Sequence, residues 1–165
     1  WRNAPGAFDS ANWRLIGSQR EHYALKQDAG NSFQGAPSTL VESTGDVVDG
    51  FGGFNQIIQA NAFLGKRVRF SAWVKTRDVA KWAGLWMNIT GKMNGAGRTI
   101  AFDNMEDRPV KGTTDWQRYE VVLDIAPEAQ DICFGALVSG TGKVWMSHPT
   151  LEIVDASVPS TNTMK

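Results

Sequence analysis

The sequence is poor in the residues that build metal centres, disulfides and most catalytic sites. Among 165 residues it has one cysteine, Cys133, and two histidines, His22 and His148. A single thiol excludes an internal disulfide and any cysteine-rich zinc site. Neither histidine sits in a ligand-spaced motif, so no metal site is expected. Ser147 and His148 are adjacent on a strand, where successive side chains point to opposite faces, which rules them out as a dyad. No GxSxG, HExxH, P-loop or dinucleotide fingerprint occurs. An excess charge of either sign is also missing, since 17 basic side chains face 17 acidic ones. Without a basic run, the domain itself lacks the phosphate attraction that nucleic-acid binders use. No apolar stretch approaches the ~18 residues of a membrane helix, so no membrane span is expected. No signal peptide is legible, and the compartment stays open with the cytoplasm as the default expectation.

What the chain does have is indole and glycine. Seven tryptophans outnumber two tyrosines, and there are 17 glycines. Helical periodicity is scarce, whereas the period-2 alternation of strands recurs between Gly, Asn, Asp and Ser turns. The strand-like segments are Ser38–Ser43, Phe54–Ala60, Val68–Lys75, Trp82–Thr90, Thr99–Phe102, Trp116–Ile125, Ile132–Val138, Lys143–Met146 and Thr150–Val154. Short strands with irregular connections predict an all-β, antiparallel two-sheet sandwich of the jelly-roll kind. Residues 1–11 read as an N-terminal loop segment, 12–155 as one sandwich domain and 156–165 as a flexible tail.

Two segments carry candidate chemistry. Val68, Phe70, Ala72 and Val74 satisfy a core face, as do Ala83, Leu85, Met87 and Ile89. The opposite faces then hold Trp73 with Arg69 and Lys75, and Trp82 and Trp86 with Asn88 and Thr90. Indole rings beside amides and hydroxyls form a surface on which a flat ligand can stack and be oriented. The competing reading is that these tryptophans lie under loops as a second core. The loop Phe102–Pro109 groups Asp103, Asn104, Glu106, Asp107 and Arg108. These groups can bond a ligand, or the loop can cap itself, since Asp and Asn bond their own backbone in turns. The candidate binding set is therefore Trp73, Trp82, Trp86, Asn88, Asp103, Asn104 and Arg108. Trp116 and Cys133 read as packing residues, and Asp46–Gly53 as a lid or a plain connection.

Several stretches resemble a bacterial jelly-roll family of the galactose-binding-like, carbohydrate-binding-module type. They are Asn12–Ser18, Gly65–Lys75, Trp82–Met87, Phe102–Met105 and Lys111–Asp124, within roughly residues 12–160. Members of that family occur alone or as the C-terminal module of AraC-type regulators. The resemblance implies the sandwich fold but leaves the ligand open. Where sandwiches of this kind can hold a structural calcium ion with an acidic pair, this chain has Ser147-His148-Pro149, and no cofactor is required. Lys26 stands where the pattern has a small or apolar residue.

Three functions follow as expectations. The first is recognition of a small molecule or glycan on an aromatic-lined concave face. The second is a cyclase- or isomerase-type enzyme, with Asp103 as general acid or base and Asp107 and Glu106 behind it; a carboxylate beside indole has a raised pKa. The third is an assembly domain, a homo-oligomer meeting through its aromatic face.

Overall fold

The computed structural model describes residues 12–46, 49–93 and 96–164. Among them are nine strands, two short 3-10 turns and no α-helix, so no helix is long and apolar enough to cross a membrane. The strands are β1 Arg14–Ile16, β2 Tyr23–Phe33, β3 Ala36–Ser43, β4 Phe51–Gln59 and β5 Arg67–Met93. After them come β6 Ala96–Asp103, β7 Val110–Asp124, β8 Ala129–Ser139 and β9 Lys143–Val154.

The organising element is β5, 27 residues long. The alternation predicts two strands here, Val68–Lys75 and Trp82–Thr90, and the structure runs them into one. Its first half pairs with β7 and β9, and its second half with β6 and β8, all antiparallel. Register shifts on the β7 side at Thr76, Val79 and Ala83, together with the left-handed backbone of Asp78 (φ 53°), turn the strand from one sheet into the other. Bulges bend a strand and increase its twist, which is how a corner strand serves two sheets. One sheet is thus ordered β2-β3-β9-β5-β7, and the other β1-β4-β8-β5-β6. The antiparallel sandwich expected from the sequence is the observed architecture.

The core lies between the sheets. Val68, Phe70, Ala72 and Val74 of the first face Leu85, Met87, Ile89, Phe134 and Phe54 of the second, all wholly or almost wholly buried. Phe70 and Phe134 meet across the gap at 5.2 Å between ring centroids, and Trp13 packs edge-on against Phe54 and Phe134. Each such side chain contributes about 1.5–3 kcal/mol by leaving water. Trp13 is therefore a core residue.

Two expectations about the chain ends need comment. The loop predicted over 1–11 lies outside the described residues. The tail expected to be flexible is instead bonded to both sheets over residues 160–164. Thr161 N–H donates to the Val122 carbonyl on β7, and Thr163 N–H to the Phe102 carbonyl on β6. The Thr161 hydroxyl and the Asn162 carboxamide accept the Val122 and Phe102 N–H groups in return. These are edge-strand groups that would otherwise lack a partner, and the polar tail satisfies them.

Candidate ligand-binding face

The outer face of the second sheet is set by strand parity. With Leu85, Met87 and Ile89 in the core, Trp82, Gly84, Trp86 and Asn88 point outward. Register places Ser139 beside Trp82, Leu137 beside Gly84, Gly135 beside Trp86 and Cys133 beside Asn88. On the next strand Phe51, Gly53 and Asn55 continue the first three rows. Gly135 is obligatory: a Cβ there would lie 1.8 Å from the Phe54 carbonyl oxygen. This small-residue floor leaves a hollow of about 360 Å³ lined by Ile16, Phe51, Trp82, Trp86, Leu137 and Ser139 on the sheet side. Phe102, Asn104 and Glu106 form the opposite wall.

That wall stands where it does because of Asp103. β6 pairs with β5 only as far as Met87, and β7 joins it only at Ala83. Met105 fills the interval, and the Leu85 N–H points at its Sδ at 3.2 Å. The Asp103 carboxylate is wholly buried; Oδ1 accepts the Met105 N–H at 2.9 Å and Oδ2 accepts from Arg108. Arg108 also holds Asp107 at 2.6 Å. Asp103 and Arg108 thus brace the loop from within, and the Asp103 carboxylate closes a turn instead of opening into an apolar pocket.

The hollow carries unspent polar capacity. Trp86 is only 9% exposed, and its indole N–H has no acceptor among the described residues. One row away, the buried Oδ1 of Asn88 has no donor. A buried N–H or C=O left unpaired costs about 1–3 kcal/mol. Asn104 accepts the Glu106 N–H through Oδ1, and its NH2 group has no partner among the described residues. The Glu106 carboxylate is exposed and makes no ion pair among the described residues.

Trp73 belongs elsewhere. It lies on the outer face of the first sheet, where Phe33 from the β2–β3 hairpin covers it at 4.9 Å and Trp116 at 5.0 Å. Trp145 lies under the same hairpin, its indole N–H donating to Asp28 at 2.9 Å, with Lys75 and Arg77 over its ring. The structure therefore brings Trp82, Trp86 and Asn104 together, with Asn88 in the adjoining row. It separates Trp73 from them and turns Asp103 and Arg108 inward to the loop. Phe51, Phe102 and Leu137 were not among the sequence candidates. Leu137 had a legible signal, being a large apolar residue in the polar phase of an alternating strand.

Two other expectations can be placed. Cys133 is half-buried, accepts a hydrogen bond from Asn55 at 2.9 Å, and burial pushes its thiol pKa up. At the calcium position, Ser147 offers one buried hydroxyl, and His148 bonds the Phe33 carbonyl through its ring.

No protein-family model matches the chain. The uncharacterized HTH-type transcriptional regulator YbfP of Bacillus subtilis (strain 168) is 41% identical to it over 153 residues. The match covers 91% of this chain and 50% of the regulator, so the chain spans about half the length of that relative. Among solved structures, the C-terminal family 22 carbohydrate binding module of Clostridium thermocellum Xyn10B superposes with a TM-score of 0.61 at 15% identity. That likeness covers 92% of this chain and 91% of the module. The CBM22-1 xylan-binding domain from Paenibacillus barcinonensis Xyn10C gives 0.60 at 14% identity, over 89% and 88% of the two chains. At such identities the likeness is one of fold. The chain is a jelly-roll β-sandwich of the kind found in carbohydrate-binding modules, related in sequence to a stretch of an HTH-type regulator.

Proposed function

We propose that this chain is a glycan-recognition module and that the sugar sits in the hollow between Trp82, Trp86 and the Asn104–Glu106 wall. The observation that carries the reading is Trp86: a nearly buried indole that lines an open hollow while its N–H lacks an acceptor among the described residues. Sugars match this chemistry, because their C–H faces stack on indole and their hydroxyls both donate and accept. The fold shared with carbohydrate-binding modules supports the same reading. In a longer chain like the related regulator, such a module would report a saccharide to a DNA-binding segment.

Calorimetric titration with xylo-, cello- and β-1,4-galactohexaose tests it. Only 9% of Trp86 is exposed to the hollow, so at ~25 cal/mol per Å² of apolar contact Trp86→Ala is expected to weaken binding about twofold to threefold. Because Trp86 also packs against the sheet, Asn104→Ala and Glu106→Ala serve as variants outside the core. Each should cost roughly threefold to tenfold through a lost hydrogen bond. Binding that ignores all three substitutions contradicts the assigned face.

A further inference from the structure

A second hollow of about 490 Å³ lies against the first. Its lining is Phe102, Asn104, Glu106, Asp107, Asn162 and Thr163, so Phe102, Asn104 and Glu106 are common to both. We infer that the Asn162–Thr163 segment completes a second saccharide subsite continuous with the first, and that the ligand is an extended, uncharged oligosaccharide. The inference rests on the function proposed above and extends it to the class of ligand.

Two carboxamides, those of Asn104 and Asn162, line the second hollow. Asn104 Oδ1 accepts the Glu106 N–H, and Asn162 Oδ1 accepts the N–H groups of Met164 and Phe102, each at 3.1 Å. An N–H can bond only the oxygen half of a carboxamide, so these bonds fix both orientations. The two NH2 groups are left with no partner among the described residues. Both walls of the second hollow therefore present the same thing: a turn-fixed amide donor with free capacity. The donors are pre-ordered, since backbone bonds already hold the side chains, and pre-ordered groups lose less entropy on binding.

Charge decides the ligand's character. Among the described residues, the ionisable ones lining the two hollows are Glu106 and Asp107, both acidic, and no lysine or arginine lines either. Asp107 is paired with Arg108, whereas Glu106 makes no ion pair among the described residues. An unpaired carboxylate accepts bonds from neutral hydroxyls and repels a uronate placed beside it. The segment carrying Asn162 is held by backbone bonds from Thr161 to Val122 and from Thr163 to Phe102, so the far wall belongs to the fold.

Calorimetry with neutral xylo-, cello- and β-1,4-galacto-oligosaccharides, each as tri- and hexasaccharide, tests the subsite. The hexasaccharide that binds should do so at least about tenfold more tightly than its trisaccharide. Asn162→Asp keeps the oxygen acceptors for Phe102 and Met164 but removes the NH2 donor. It should reduce the hexa-to-tri ratio roughly threefold to tenfold and leave the trisaccharide affinity in place. Thr163→Val should reduce the ratio in the same direction. Oligogalacturonate of equal length should bind more weakly than the neutral chain. The inference is overturned by equal tri- and hexasaccharide affinities, by a ratio that Asn162→Asp does not move, by equal losses at both lengths, or by preference for the uronate; the first hollow's function survives each of these. Absence of binding by any length overturns the proposed function itself.

Discussion

At the scale of single residues, the face depends on where a side chain is missing as much as on where one is present. Gly84 lies between the two outward indoles, and a Cβ there would come within 2.8 Å of the Met105 Cβ and 3.4 Å of the Asn104 carbonyl oxygen. Gly84→Ala is therefore expected to push the loop outward, costing about 1–3 kcal/mol of stability and weakening any saccharide bound in the hollow. Urea unfolding and calorimetry check this against Gly45→Ala, whose added methyl meets nothing within 4 Å. Equal behaviour of the two variants would contradict the packing described. Alternation in the sequence puts Trp82 and Trp86 on an outward strand face, and the structure has them on the outer side of the second sheet. The same alternation placed Trp73 with them, and that inference fails on topology. Alternation reports that a residue points outward, but not which sheet it leaves or what covers it; Phe33 does the covering, from far away in the chain. Asp103 shows the same limit. Its residue type fits a general acid as well as a loop brace, and only the folded chain shows its carboxylate buried and bonded to the Met105 N–H and to Arg108.

At the scale of elements, the β2–β3 hairpin closes the outer face of the first sheet, and Asp28 fastens it. The indole N–H of Trp145 chiefly, and then the Asn31 amide and the Gly30 N–H, hold the Asp28 carboxyl below its ordinary pKa against a smaller opposing effect of burial. A carboxyl whose folded pKa is depressed stabilises the fold above its unfolded pKa of about 3.9, and that contribution is lost as pH falls through the folded value. Asp28→Asn should thus lower the unfolding midpoint at pH 7, and the gap from wild type should narrow steadily below about pH 4. A gap of the same size at pH 3 and pH 7 would contradict this fastening role. The hairpin's first strand was not legible in the sequence. β2 pairs only with β3, so it is an edge strand with little core face and shows no clean alternation through Lys26-Gln27-Asp28. The continuity of β5 was equally hidden, because its turn between sheets uses Asp78 in a left-handed conformation with no glycine or proline beside it to mark the bend.

At the scale of the whole molecule, the two outer faces have been used differently. One is covered by a hairpin that buries Trp145 and packs Phe33 on the half-buried Trp73 and Trp116, with each polar atom of Trp145 and Asp28 engaged. The other carries two indoles, and amides and a carboxylate that have no side-chain partner among the described residues, around adjoining hollows. The sandwich itself was readable in advance, since core alternation survives in the central strands. The hollow was not, since it arises from glycines, a braced loop and a tail that meet only after folding. The difference between the two faces is open to direct observation through the indole N–H resonances in a proton–nitrogen correlation spectrum during titration with neutral hexasaccharides. The account predicts that the Trp86 signal, whose N–H has no acceptor among the described residues, moves on addition of ligand together with that of Trp82, while Trp145, already bonded to Asp28, stays in place. Movement confined to Trp73, Trp116 or Trp145, or no indole movement with any of the sugars, would contradict it.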